Sequence, residues 1–155
     1  MSGISICPAC GAKNRTPIIG QGRVRCAKCH RDLPWLVDIA DADFAVAVEA
    51  STLPVLVDVW APWCGPCRAV APVVEQVSRD FAGQLKVVKV NADLAPGVSA
   101  RHSITSIPTF LFYTGGREAA RTVGAPPGQQ LRMWVEHQLL APDHEKDPSG
   151  HMREQ

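Results

Sequence analysis

Six cysteines stand in three Cys-x-x-Cys pairs: "CPAC" at Cys7 and Cys10, "CAKC" at Cys26 and Cys29, and "CGPC" at Cys64 and Cys67. Two thiols at this spacing suit three chemistries, namely half of a metal site, a redox switch or a structural disulfide. The first two pairs together read C-x2-C-x15-C-x2-C, the spacing of four-cysteine zinc sites. One tight turn presents two thiolates to an ion, and the longer insert brings a second such turn to complete a tetrahedron. Gly11, Gly20 and Gly22 give these turns freedom. Structural zinc is the expected reading; a redox-sensitive zinc site, disulfides and an iron–sulfur cluster are the other chemistries that fit. His30 stands beside a ligand, where four thiolates already suffice.

The third pair has no second pair left to share a metal with, and it lies where a buried strand gives way to a helix. A helix N-terminus offers free N–H groups and positive dipole, which favour a thiolate over a thiol. Cys64 is therefore the expected nucleophile, and Cys67, one turn further in, the thiol that resolves a mixed disulfide. Gly65 permits the tight entry, and Pro66 fixes φ where an N–H would otherwise go unbonded. Asp58 interrupts the apolar run "PVLVDVWA", and a buried carboxylate must stay protonated or find a partner. That suits it to carry a proton for Cys67, with Lys89 on a neighbouring strand as counter-charge; the alternative is a solvated place on an edge strand. Trp60 is expected in the core and Trp63 on an exposed docking surface. Pro108 opens a strand, and the residues alone leave its peptide isomer open.

Elements that position these groups follow from periodicity. Continuous apolar runs predict strands near 35–39, 54–61 and 85–92, the kind buried on both faces of a sheet. A helix is predicted over 41–50 with Asp41 as N-cap, and another over 65–81 with Pro72 as a kink. A weak helix near 95–102 precedes a hairpin of strands 109–113 and 119–123 turning at Gly115 and Gly116. Leu131, Trp134, Val135, Gln138 and Leu139 mark a final amphipathic helix.

The chain has 155 residues, 46% hydrophobic, and a formal net charge of +1. That mass supplies one core and a small appended module, and the charge gives no reason to expect a nucleic-acid or membrane partner. Residues 1–33 carry four cysteines but few large apolar side chains, so metal binding would supply their folding energy, about 10 kcal/mol or more. Lys13, Arg15, Arg23, Arg25, Lys28 and Arg31 cluster there, but no aromatic residues interleave to stack on bases, and a solvated surface is expected. The N-terminus lacks a secretory pattern and no apolar run approaches the roughly 18 residues of a membrane span, so a soluble intracellular protein is expected.

"VDVWAPWCGPCRAVAP", "KVNAD", "SIPTFLFY" and "VGA" stand in the order and spacing of thioredoxins, and residues 36–140 resemble that family. With the N-terminal cysteines, the whole chain resembles the zinc-containing bacterial thioredoxins of the thioredoxin 2 type. The resemblance implies an α/β thioredoxin fold, a central mixed sheet flanked by helices. Its expected organisation is a zinc-ribbon-like module over 1–33, a thioredoxin domain over 34–140 and a polar, disordered tail over 141–155. It implies Cys64 as attacking thiol, Cys67 as resolving thiol, Asp58 as buried acid with Lys89 near it, and Pro108 as a cis-proline against the dithiol. Trp63, Ser106, Ile107, Gly124 and Ala125 match the surface that pairs with an extended substrate. Arg68 stands where the family often has Lys, and Ser106 where it often has Gly.

The implied activity is protein-disulfide reduction by a cytoplasmic monomer whose cofactors are Zn2+ and a redox-active disulfide. An NADPH-dependent thioredoxin reductase would supply electrons, disulfide-containing proteins would receive them, and the chain itself has no nucleotide-binding fingerprint. A disulfide oxidase or isomerase, and a domain recruited by its zinc ribbon to one partner or to nucleic acid, are the alternative readings.

Overall fold

In the computed structural model residues 3–141 are described. Strands β1 (Gly3–Ile6) and β2 (Lys13–Thr16) form an antiparallel hairpin of their own, with the first Cys-x-x-Cys turn at its tip. The main sheet contains β3 (Trp35–Ile39), β4 (Val55–Trp60), β5 (Lys86–Asn91), β6 (Thr109–Thr114) and β7 (Arg117–Val123). Three helices accompany it: α1 (Gly65–Asp80), α2 (Pro96–Arg101) and α3 (Gln130–Leu140). Beyond Ala141, the tail expected over 141–155 lies outside the described residues.

Strand order is β3-β5-β4-β6-β7, with β3 and β4 parallel to β5 and the β6–β7 hairpin antiparallel to β4. Alternation along a strand sends neighbours to opposite faces, so a strand covered on both sides must be apolar throughout. In β4, Val55, Val57 and Val59 join Phe44, Ala47, Val48, Val88 and Val90 in one core. Leu56 faces the other, made with Val70, Val74 and Val77 of α1 and Leu131 and Val135 of α3. Each such side chain, fully buried, stabilises the fold by about 1.5–3 kcal/mol. Asp58 is the interruption in this pattern, and it too is buried. Apart from the segment 41–50, the predicted strands and helices agree with these elements to within about two residues; β7 starts two residues early, directly after the Gly115–Gly116 turn. Both glycines have positive φ, 61° and 80°, as a two-residue hairpin turn requires.

The helix expected over 41–50 is not a regular one. A 3-10 turn at Asp41–Asp43 runs into a π-helical turn at Ala45–Glu49. The carbonyl of Ala47 accepts from the Lys86 ammonium at 2.8 Å, while the amide of Ser51 turns to Val48 instead. Asp41 does not cap this segment. Its carboxylate accepts from the amides of Gly97 and Val98 at 2.9 and 2.8 Å, and so caps α2 from across the fold.

Lys86 is also what ties the N-terminal segment down. Almost wholly buried, it donates to the carbonyls of Ile18 and Ala47 and lies 4.5 Å above the Trp35 ring. Trp35 in turn donates to the Pro17 carbonyl at 2.8 Å, and Ile18 and Val24 pack on the main core. Burial lowers the Lys86 ammonium to about 8, still charged at neutral pH. Replacing Lys86 by Ala leaves two carbonyls without this donor, and urea unfolding at pH 7 is expected to show a loss of about 2–4 kcal/mol. A loss below about 0.5 kcal/mol would mean that the contact contributes nothing.

Candidate active site and four-cysteine cluster

β4 ends at Trp60, and four residues later Cys64 is the N-cap of α1 in extended conformation (φ −82°, ψ 112°). A sulfur atom thus occupies the place usually held by a capping oxygen, accepting the Cys67 amide at 3.2 Å. Pro66 sits in the first turn, where a missing N–H costs nothing. Cys64 and Cys67 are joined in a disulfide, both buried, and Ala61, Trp60 and Ile107 pack around them. The Cys64 sulfur lies 3.8 Å from the Ile107 carbonyl oxygen, and the Ile107–Pro108 peptide bond is cis.

The loop facing the dithiol is internally tied. Thr109 donates its hydroxyl to the Ser106 carbonyl at 2.6 Å, and the Gly124 amide donates to the Pro108 carbonyl at 2.8 Å. Gly124 has φ 94°, a conformation other residues rarely adopt, and Ala125 follows it. Ile107 is thus placed beside Cys64, and Gly124 is tied to its neighbour Pro108. Trp63 projects outward, 67% exposed, with its indole N–H held by the carboxylate of Asp93 at 2.9 Å. Asp93 was not anticipated; its place in "KVNAD" is the only signal the sequence gives.

Asp58 sits inside the sheet, 2% exposed, and its Oδ1 has no hydrogen-bond partner among the described residues. Register places Lys89 directly beside it on β5 and Asp38 beside Lys89 on β3. The Lys89 ammonium lies 4.5 Å above the Trp60 ring, in a cavity of about 280 Å³ that Asp38 and Asn91 also line. Burial pushes the Asp58 carboxyl up to about 7; Lys89 opposes the rise and Asp38 adds to it. Asp38 is the second residue the sequence reading missed, because cross-strand neighbours appear only when register is known.

The remaining four cysteines are free thiols whose sulfurs all lie within 4.8 Å of one another. Cys7 and Cys29 are 3.6 Å apart, as are Cys10 and Cys26. Four thiolates about 2.3 Å from one zinc ion are about 3.8 Å from each other, so the donor set fits a single metal ion. The electrostatics agree. Amides of Cys10 and Ala9 hold the Cys7 thiol below its ordinary range, and those of Cys29 and Lys28, with the Asn14 side chain, bring Cys26 to about 6. Although the Ala12 amide acts to lower Cys10, burial and its sulfur neighbours carry it up to about 11. Without a cation, this cluster cannot carry four negative charges at neutral pH.

A disulfide at the head of a helix, entered from a buried strand and faced by a cis-proline loop, makes this a thiol–disulfide oxidoreductase. The thioredoxin family model matches residues 36–137, and the chain belongs to the thioredoxin family. It is 48% identical over 101 residues to the thioredoxin of Synechocystis sp., which covers 65% of this chain and 94% of that protein. Identity to the thioredoxin of Haemophilus influenzae is 41% over 104 residues, 67% of this chain and 97% of that one. The chloroplastic thioredoxin M4 of Arabidopsis thaliana is 37% identical over 135 residues, 84% of this chain and 68% of its own. Among the described residues no helix is long and apolar enough to cross a membrane.

A carboxyl raised to about 7 gives stability a definite pH dependence. Between the ordinary carboxylate value near 4 and about 7, the folded chain holds a proton that the unfolded chain has released, so stability falls as pH rises through that window. Above it the penalty is complete. Oxidised Asp58→Asn is expected to be about 2–4 kcal/mol more stable than the parent at pH 8, with the gain vanishing near pH 4. Denaturant unfolding from pH 4 to 8 tests this, and a pH-independent difference would contradict it.

Proposed function

We propose that the chain is a cytoplasmic, monomeric protein-disulfide reductase, and that the seat of Cys64 carries this reading. Its sulfur caps α1 and receives the Cys67 amide at 3.2 Å, so the reduced site favours a thiolate at that position. In the forward reaction the Cys64 thiolate attacks a substrate disulfide; a Cys64–substrate bond forms, the substrate bond breaks, and the first substrate thiolate takes up a proton. Cys67 then gives its proton to the Asp58 carboxylate and attacks the Cys64 sulfur; the Cys64–substrate bond breaks, and the second substrate sulfur leaves as a thiolate that takes up a proton, Asp58 returning to its carboxylate form. Two electrons pass to the substrate and Cys64–Cys67 is left as a disulfide. An NADPH-dependent thioredoxin reductase restores the dithiol.

Gly65, Pro66, Lys89 and Pro108 support the site in this reading, and Trp63, Ser106, Ile107, Gly124 and Ala125 receive an extended stretch of the substrate protein by backbone pairing. A carboxyl near 7 exchanges protons readily at cellular pH, which suits Asp58 to this task. Residues 1–33 act as a metal-binding module and 34–140 as the thioredoxin domain. Cys7, Cys10, Cys26 and Cys29 hold Zn2+, which when bound neutralises the thiolates and supplies folding energy to a segment poor in apolar side chains.

Insulin-disulfide reduction coupled to NADPH through a thioredoxin reductase tests the activity. The parent is expected to turn over, Cys64→Ser to lose at least about 1,000-fold as a nucleophile lost from a concerted site, and Cys67→Ser to accumulate a mixed disulfide visible by mass spectrometry. Equal activity of parent and Cys64→Ser would end the proposal. Metal analysis of protein purified without added zinc is expected to give one equivalent, lost in Cys7→Ser.

A further inference from the structure

We propose that Asn14 is the positioning residue of the four-cysteine site, a single side chain that ties the two Cys-x-x-Cys turns together and sets how long the metal is retained. The proposal rests on the reading of these cysteines as a metal site. Each turn is closed by its own backbone. Gly11 and Cys7 donate to the carbonyls of Cys7 and Ala12 in the first, and His30 and Cys26 to those of Cys26 and Arg31 in the second. These bonds stay within one turn. They fix the geometry of each pair of thiols but not the placement of one pair against the other.

Asn14 crosses the gap. It lies on β2, just past the first turn, with its side chain directed inward and about nine-tenths buried. Its Nδ2 donates to the Ala12 carbonyl at 3.2 Å and to the Cys26 sulfur at 3.4 Å, and its Oδ1 accepts the Ala27 amide at 2.9 Å. Because the Ala27 N–H needs an acceptor, the amide can face only one way, and both of its N–H hydrogens then point to acceptors. Among the described residues, apart from the 3.6 Å contacts between the ligand sulfurs themselves, these are the hydrogen bonds joining the first turn and its strand to the second turn.

No other short side chain meets the three requirements. Asp keeps the acceptor for Ala27 but loses both donors and adds a negative charge beside a thiolate; Ser lacks the reach to serve both turns. A hydrogen bond donated to a ligand sulfur also withdraws charge from it, which tunes the metal–sulfur bond as well as orienting it. Loss of such a partner lowers metal affinity by about 10- to 100-fold in other sites.

The test compares full-length parent, Asn14→Ala and Asn14→Asp, each loaded with one equivalent of zinc and mixed with excess chromogenic chelator. Both variants are expected to release zinc about 10- to 100-fold faster. With Co2+ in place of zinc, the variants are expected to keep the intensity of a four-thiolate site while the sulfur-to-cobalt charge-transfer band moves, a signature that generalised loosening would not produce. Parental release rates together with an unmoved band would overturn the role of Asn14 and leave the metal site standing. A parent that binds neither zinc nor Co2+ would overturn the metal site and this role with it.

Discussion

The unbonded N–H groups at the start of α1 are the constraint from which the active site grows. Every helix begins with donors that its own ladder cannot satisfy, and here the chain answers them with a sulfur atom. The same atom that completes the helix is the one that exchanges disulfides. This couples fold and chemistry closely: β4 must be buried to hold the entry to α1 in place, and α1 must pack its Val70, Val74 and Val77 face for its N-terminus to stay where Cys64 needs it. The dithiol is supported by both cores.

Much of this was legible in the sequence, because it rests on local patterns. The unbroken apolar run around Asp58 announces a doubly buried strand, and the Cys-Gly-Pro-Cys step after it announces a helix start. All three pairs share one spacing; the four-cysteine pattern of the first two and the strand-to-helix context of the third separate the cluster cysteines from the exchanging pair. What the sequence hides is contact between distant residues. The π-helical turn at Ala45–Glu49 goes with a carbonyl bound by Lys86, 39 residues away. Asp41 looks like a cap for the segment it begins, yet it serves α2, and only the folded path of the chain shows why. Asn14, Asp38 and Asp93 escaped for the same reason.

Two lysines, one buried and one partly exposed, divide the labour on β5. Lys86 and Lys89 lie three residues apart and so point to opposite faces of the sheet. Lys86, on the side of Phe44 and Trp35, is satisfied by two carbonyls and holds the N-terminal segment. Lys89, on the side of Asp58, has an indole beneath it and acids on both neighbouring strands. One ammonium is spent on attachment and the other on the electrostatics of the active site, with the sheet keeping them apart.

The β1–β2 hairpin also lies against β3, an edge strand whose only partner in the sheet among the described residues is β5. An exposed parallel edge is a template on which another chain can add a strand, and proteins cover such edges at some cost in sequence. The cysteine-rich segment shields that side, at the opposite end of the sheet order from the β6–β7 hairpin that adjoins the dithiol. The hairpin that carries two of the four cluster cysteines at its tip therefore also lies along an edge of the main sheet, a role that depends on where it sits rather than on what it binds.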